Sequence, residues 1–325
     1  MLLVAAAGAY SFSPRTVPPL EPRQIPVNNM LLNSVVTTQA GLLAAGELGH
    51  VLLSTDQGKT WADVQLPEAR QALITRLVFD DEKIGVAIGH EGWIMRTNDG
   101  GKTWEESAFE KINGAPLMSA ARLPSGDWLA VGAFGRVLKS DGERKEWHEA
   151  RIDALADWHL NALAASADRK EWLLVGEAGA VLRSVDGGQN WSLLNSFYDG
   201  SFYGAVHLGP GSWLVYGMRG NVFRTTDHGE SWSKVALPMP VSLYGHALTP
   251  EGQLVLVGQG GTVFVSDDQG KTLSLLTRVG RGSLTDIRVA KDGQWYLSGE
   301  QGFQSYTPSK PNQTTNKADQ AGVSR

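Results

Sequence analysis

The stretch Gly46-Glu47-Leu48-Gly49-His50-Val51-Leu52-Leu53-Ser54-Thr55-Asp56-Gln57-Gly58-Lys59-Thr60-Trp61 carries two turn signals separated by a short apolar strand. The first is Gly-x-x-Gly; the second is Ser-x-Asp-x-Gly-x-Thr-Trp, an Asp-box. In the box each residue type has a mechanical task. The carboxylate accepts hydrogen bonds from turn amides, the glycine supplies a positive φ, the Ser hydroxyl ties back to the backbone and the Trp covers neighbouring strands. A single box is a weak signal. This one returns at residues 97–104, 184–191 and 225–232, and at 266–273 with Leu273 in place of the aromatic. The structural role therefore falls to Asp56, Trp61, Asp99, Trp104, Asp186, Trp191, Asp227, Trp232 and Asp268.

Gly-x-x-Gly returns in register with the boxes, starting at Gly46, Gly89, Gly132, Gly176, Gly217, Gly258 and Gly299. The spacings are 43, 43, 44, 41, 41 and 41 residues, a period that accommodates one four-stranded sheet with its turns. No sustained i, i+3, i+4, i+7 pattern argues for helices. The strand before each motif is a continuous apolar run, such as Trp172-Leu173-Leu174-Val175, which implies burial on both faces. Trp128, Trp172, Trp213 and Trp295 each stand four residues before a first glycine and are expected as wedges between sheets. The fold class is all-β: a seven-bladed β-propeller whose blades each have four strands, A to D from the axis outward.

Two repeats depart from the pattern. In the third, Ser140-Asp141-Gly142-Glu143 places its Asp one residue early, and the seventh has no box. Its missing D strand is expected from residues 15–25, which would close the ring and remove exposed edges. The chain divides into residues 1–9, a signal-peptide remnant; 10–306, the propeller; and 307–325, a polar tail without apolar periodicity.

Composition narrows the function classes. Apolar residues make up 42% and charged residues 19%, as in globular proteins. A net charge of −5 and the lack of any Lys/Arg run disfavour a nucleic-acid partner or an anionic membrane surface. With no cysteine there is no disulfide, thiolate metal site or cysteine nucleophile. The apolar start MLLVAAAGA ends on the small-x-small pattern of a processing site, so export to a periplasm, or to a lumen in a photosynthetic cell, is expected. No apolar run is long enough to span a membrane. The chain is expected to be a monomer with no cofactor.

Strand direction alternates outward from the axis, so A-strand starts and B-to-C loops share one face and the Asp-boxes occupy the other. The first face gathers Glu47, His90, Glu91, Glu177, Arg219 and Glu300 from the loops, with Arg76, Asn161, Tyr203, Tyr244 and Asp286 from A strands. This mostly acidic, aromatic rim is expected to bind a partner protein or extended peptide; a merely solvated loop face is the alternative. A sialidase site would need three arginines, a Tyr nucleophile and an acid/base Asp. Arg76, Arg219, Tyr203 or Tyr244 and Asp286 are the residues available for it, but Arg288 lies deeper on its strand and the chain reads Arg23-Gln24-Ile25-Pro26 where an Arg-Ile-Pro signature would stand. The histidines are dispersed, and His90-Glu91 lacks the second His of a metalloprotease helix.

The repeated phrase of Gly-x-x-Gly, strand and Asp-box with Trp, from Gly46 to Gly302, resembles the photosystem II stability and assembly factor family. That family has relatives in non-photosynthetic bacteria. The resemblance implies a non-catalytic seven-bladed propeller that holds a membrane-protein assembly intermediate. Two other roles stand beside it: a glycan-binding or sialidase-like Asp-box protein, and an accessory subunit of a bacterial transport or envelope complex. Photosynthetic members carry an arginine-rich patch; the arginines of this chain are scattered.

Overall fold

The computed structural model describes residues 27–110, 112, 114–141 and 146–308. The two glycines of each Gly-x-x-Gly do different physical work. In His90-Glu91-Gly92-Trp93, Glu91 and Gly92 have φ of 57° and 62° and Trp93 N–H donates to His90 O, a turn whose twist matches a β-hairpin. The second glycine is positive-φ in all seven loops. The first glycine is extended, and its constraint is space. A β-carbon there would overlap the carbonyl oxygen just before the A strand, that of Leu31, Leu73, Pro116, His159, Ser201, Ser242 or Ser283. That same carbonyl accepts the N–H of the residue after the first glycine in every repeat, at 2.9–3.1 Å. B-to-C loops and A-strand starts are thus stitched together on one face.

The opposite face is built by the boxes. Ser54 Oγ donates to Asp56 Oδ1 at 2.8 Å and accepts Gly58 N–H at 2.8 Å; Thr60 N–H and Oγ1–H reach the two carboxylate oxygens at 2.9 and 2.6 Å. Trp61 Nε1–H caps the Gly58 carbonyl at 3.1 Å. The same set recurs around Asp99, Asp186 and Asp227, and around Asp268 without the indole. These donors stabilise the ionised carboxylate, so Asp56 is held down at about 2, chiefly by the Thr60 hydroxyl and amide. The third repeat's turn with the early Asp141 runs into residues 142–145, which lie outside the described residues.

Among the described residues six sheets have four antiparallel strands in sequence order, and the seventh has three, Leu284–Val289, Trp295–Gly299 and Gly302–Tyr306. The three-stranded seventh sheet fits the missing box; residues 15–25, the expected donor of a fourth strand, lie outside the described residues. The B strands are buried along their whole length in blades 2, 3, 4, 6 and 7. Seven apolar clusters fill the molecule, each shared by two neighbouring blades. Trp128, Trp172, Trp213 and Trp295 each pack against residues of the preceding blade, as wedges should. The cluster that joins last blade to first combines Leu32, Val35, Leu42 and Leu52 with Tyr296 and Phe303, and the ring is closed there.

Polar ties reinforce the junctions. The second residue of the A strand reaches the next blade's first A-strand carbonyl four times: Asn33 to Ile74 at 2.9 Å, Thr75 to Leu117 at 2.5 Å, Asn161 to Phe202 at 2.7 Å and Thr285 to Leu32 at 2.6 Å. No helix among the described residues is long and apolar enough to cross a membrane.

Candidate functional site

The rim formed by the Gly-x-x-Gly turns and A-strand starts separates the candidate residues into three groups. Some hold the fold. Asn161 is one of the inter-blade ties. Glu177 Oε2 accepts the His159 N–H at 3.0 Å and Glu300 Oε2 accepts the Ser283 N–H at 2.9 Å. Both carboxylates therefore cap the strand start beside their own loop, a local role invisible in the repeat pattern.

A second group lies half-buried or exposed on the rim without a structural task. The A-strand position that makes the tie in blades 1, 2, 4 and 7 is Met118 in blade 3 and Tyr203 and Tyr244 in blades 5 and 6. Their rings lie 5.6 Å apart and tilted by 32°, half-buried at the mouth of the central channel. Burial, then Tyr244, pushes the Tyr203 hydroxyl up, so the Tyr203 phenol stays protonated at neutral pH. Arg219 stands exposed at the neighbouring turn with φ of 53°. On the other side lies Phe134, 65% exposed at a turn position with φ of 56°, a conformation bulky side chains seldom adopt. Its ring meets His159 edge-on at 4.8 Å, and His159 Nδ1 is 3.8 Å from Glu177. Phe134 and His159 escape the repeat pattern; the signal available was an aromatic where the turn tolerates glycine best. Glu47, His90 and Glu91 continue the rim around blades 1 and 2 as half-buried or exposed groups.

The third group belongs to the channel wall. At the third A-strand position, Asp286 Oδ2 accepts Ser34 Oγ–H and Val35 N–H, each at 3.1 Å, across the closing junction. Ser119 Oγ likewise accepts Leu163 N–H at 3.1 Å. Arg76 takes the equivalent place in blade 2, one layer below the rim. Glycines stand there in blades 5 and 6, and the Tyr216 hydroxyl fills the space over Gly204 to meet His246 Nδ1 at 2.7 Å. That pair was not legible either, although Gly204 and Gly245, inside strands otherwise apolar, mark where side chains make room. Among the described residues no three His, Asp or Glu side chains converge as a metal site.

Seven blades, Asp-boxes on one face and a polar-aromatic rim around a channel on the other define a class: the Asp-box seven-bladed propellers. Within it, the family model of the photosynthesis system II assembly factor YCF48 matches residues 139–325, and the chain belongs to that family. Among solved structures, "YCF48 bound to D1 peptide" superposes with a TM-score of 0.69 at 18% identity, covering 91% of this chain and 99% of that one. YCF48 from Cyanidioschyzon merolae gives 0.68 at 16% identity, covering 88% and 98%. A streptogramin B lyase structure gives 0.72 at 11% identity, covering 87% and 95%, so the same ring also carries an enzyme. No curated protein matches the sequence.

Proposed function

We propose that this chain is a non-catalytic scaffold that holds a segment of another protein against the rim of blades 3 to 6. It would act after export on a membrane-protein or envelope client. The observation that carries the reading is the replacement of the inter-blade tie by the Tyr203 and Tyr244 pair. Two blades give up a hydrogen bond that stabilises the ring and expose aromatic surface in its place, and aromatic anchors dominate interface energies. The αL Phe134 at 65% exposure extends the same surface. The family, and the peptide bound to one YCF48, support a protein client over a glycan. Arg219 stands on the rim whereas Arg288 lines a pocket with the box residues Thr55 and Gln57 at the other face, which argues against an arginine trio for a substrate carboxylate.

Capture from detergent-solubilised native membranes, followed by mass spectrometry, names the client. The Tyr203→Ala/Tyr244→Ala variant should then raise the dissociation rate at least tenfold, about 1.4 kcal/mol, with the fold intact by circular dichroism. Unchanged kinetics would remove this rim from consideration. Hydrolysis of a sialoside by the wild type would overturn the non-catalytic reading. A client drawn from an exporter complex would favour the accessory-subunit role.

A further inference from the structure

At one B-strand position the repeat makes an exception that the core does not ask for. Three residues before the first glycine stand Leu43, Val86, Leu129, Leu173, Leu214 and Val255, all buried aliphatics, and in blade 7 Tyr296, itself only 3% exposed. Its ring stacks on Phe303 within the cluster that closes the ring of blades. A phenylalanine would serve that packing equally. The Tyr296 hydroxyl has no hydrogen-bond partner among the described residues, although it is not among the polar atoms sealed from solvent. A buried tyrosine ordinarily finds a partner for that group, so the partner is to be sought outside the chain.

Tyr296 lines a cavity of about 590 Å³ on the box face, between blades 7, 1 and 2. The gap exists because the A-to-B turn of blade 1 is only residues 39–40, whereas its neighbours carry the longer turns 80–84 and 290–294. Those two turns and the blade 1 box form its walls. Leu42, Phe79, Val289 and Ala290 supply apolar surface, and around them the polar groups mix both signs. Asp80 is already held by Arg122 at 2.9 Å and Arg169 at 2.5 Å. Arg288 and Lys291 then stand against Asp81, Glu82 and Asp292, a small acidic excess that disfavours an anion without committing the site to a cation. No hydrogen bond or ion pair engages the side chains of Glu82, Arg288, Lys291 or the box residues Thr55 and Gln57 among the described residues.

We propose that this cavity binds a neutral sugar ring, with the Tyr296 hydroxyl as its buried polar contact. A sugar hydroxyl both donates and accepts, so one ring satisfies Arg288 and Gln57 as donors together with Glu82 and Asp81 as acceptors, which a purely anionic or cationic ligand does not. Its C–H faces suit the Phe79 ring and the aliphatic side chains of Leu42 and Val289. The volume lies in the range of small-ligand sites, where a few placed polar groups in an apolar lining fix orientation. The cavity opens on the face opposite the rim and uses no arginine trio, so it differs from a sialidase-type site and is independent of the client surface. Either can fail alone.

The test is a saturation-transfer NMR titration of the full chain with the methyl glycosides of glucose, galactose, mannose and N-acetylglucosamine, with cellobiose and chitobiose, and with methyl glucuronide as the charged counterpart. Saturable transfer from a neutral monosaccharide identifies a free sugar as the ligand; transfer from a disaccharide alone identifies the end of a glycan chain. Both outcomes support the proposal. Tyr296→Phe should weaken binding about tenfold while the melting temperature stays the same or rises, because the hydroxyl it removes has no partner to lose. Glu82→Ala, at an exposed position, should also weaken binding about tenfold and tests the site even where Tyr296→Phe fails to fold. No saturable transfer from any neutral sugar, transfer from the glucuronide alone, or full affinity in a folded Tyr296→Phe or Glu82→Ala protein overturns it.

Discussion

Within the single loop Gly176-Glu177-Ala178-Gly179, opposite substitutions should have opposite effects. Gly176→Ala introduces a β-carbon that overlaps the His159 carbonyl, with Leu160 Cα at 3.4 Å; both neighbours are backbone and cannot rotate away. The strand start must shift, which strains the Glu177 N–H to His159 O bond of 2.9 Å. Overpacking costs about 1–3 kcal/mol and a weakened hydrogen bond about 1 kcal/mol, offset by about 0.5 kcal/mol from a less flexible unfolded chain. The net loss is about 2–3 kcal/mol, or roughly 3–5 °C in Tm for a domain of this size. Ala178, by contrast, has φ of 52° and is exposed, so Ala178→Gly relieves αL strain without losing buried surface. It should be neutral or stabilising by up to about 1 kcal/mol. Calorimetry or urea unfolding followed by far-UV circular dichroism measures both. A Gly176→Ala protein melting within about 1 °C of wild type, or an Ala178→Gly protein destabilised as strongly, would refute the division of labour between the two glycines.

Asn161→Ala should lower stability by about 1 kcal/mol through the lost tie to Phe202 while leaving client kinetics unchanged in the folded fraction; altered kinetics would return Asn161 to the binding surface. The box carboxylates should give the protein an acid limb. Asp56 and Asp186 are each held at about 2, below the usual carboxylate value. Their contribution is complete above about pH 4 and is lost as pH falls towards 2, so Asp56→Asn should flatten urea-midpoint curves in that window, and an unchanged slope would show that the box is not held by its charge. Deleting residues 1–26 should cause aggregation or a large drop in melting temperature if they complete the seventh blade, whereas removing residues 309–325 should be nearly silent; equal melting temperatures for both truncations would sink the closure assignment.

The repeat was legible because its signals are local. A turn that demands two positive-φ residues, or a carboxylate that accepts both the amide and the side chain of the residue four ahead, leaves the same letters at each copy, and those letters count the blades. Side-chain roles that depend on the neighbouring blade leave no such mark. Glu91 and Glu177 occupy related loops, yet the Glu177 carboxylate turns inward to the His159 amide, and spacing alone does not reveal it. Arg76 and Asp286 were placed correctly on A strands but one layer too high, because the bulge after the first A-strand residue turns the third residue onto the channel wall. Tyr216 comes from a B strand and reaches the channel only because Gly204 is bare, a dependence between residues twelve apart that periodicity does not carry.

The way the seven apolar clusters share blades has a consequence for how the chain folds. Six junctions join segments about one repeat apart, such as Asn161 and Phe202 at a separation of 41 residues. The seventh joins Ser34 to Asp286, 252 residues away. Closing the longer loop costs about 1.6 kcal/mol more in chain entropy, since the cost grows as (3/2)RT ln n. That excess is small, but it falls wholly on the last contact to form and the first to open. Until Leu32 and Val35 meet Tyr296 and Phe303, the first and last blades each leave an apolar flank uncovered. The interval between synthesis of the first blade and arrival of the last is therefore the period in which this protein is most exposed to self-association.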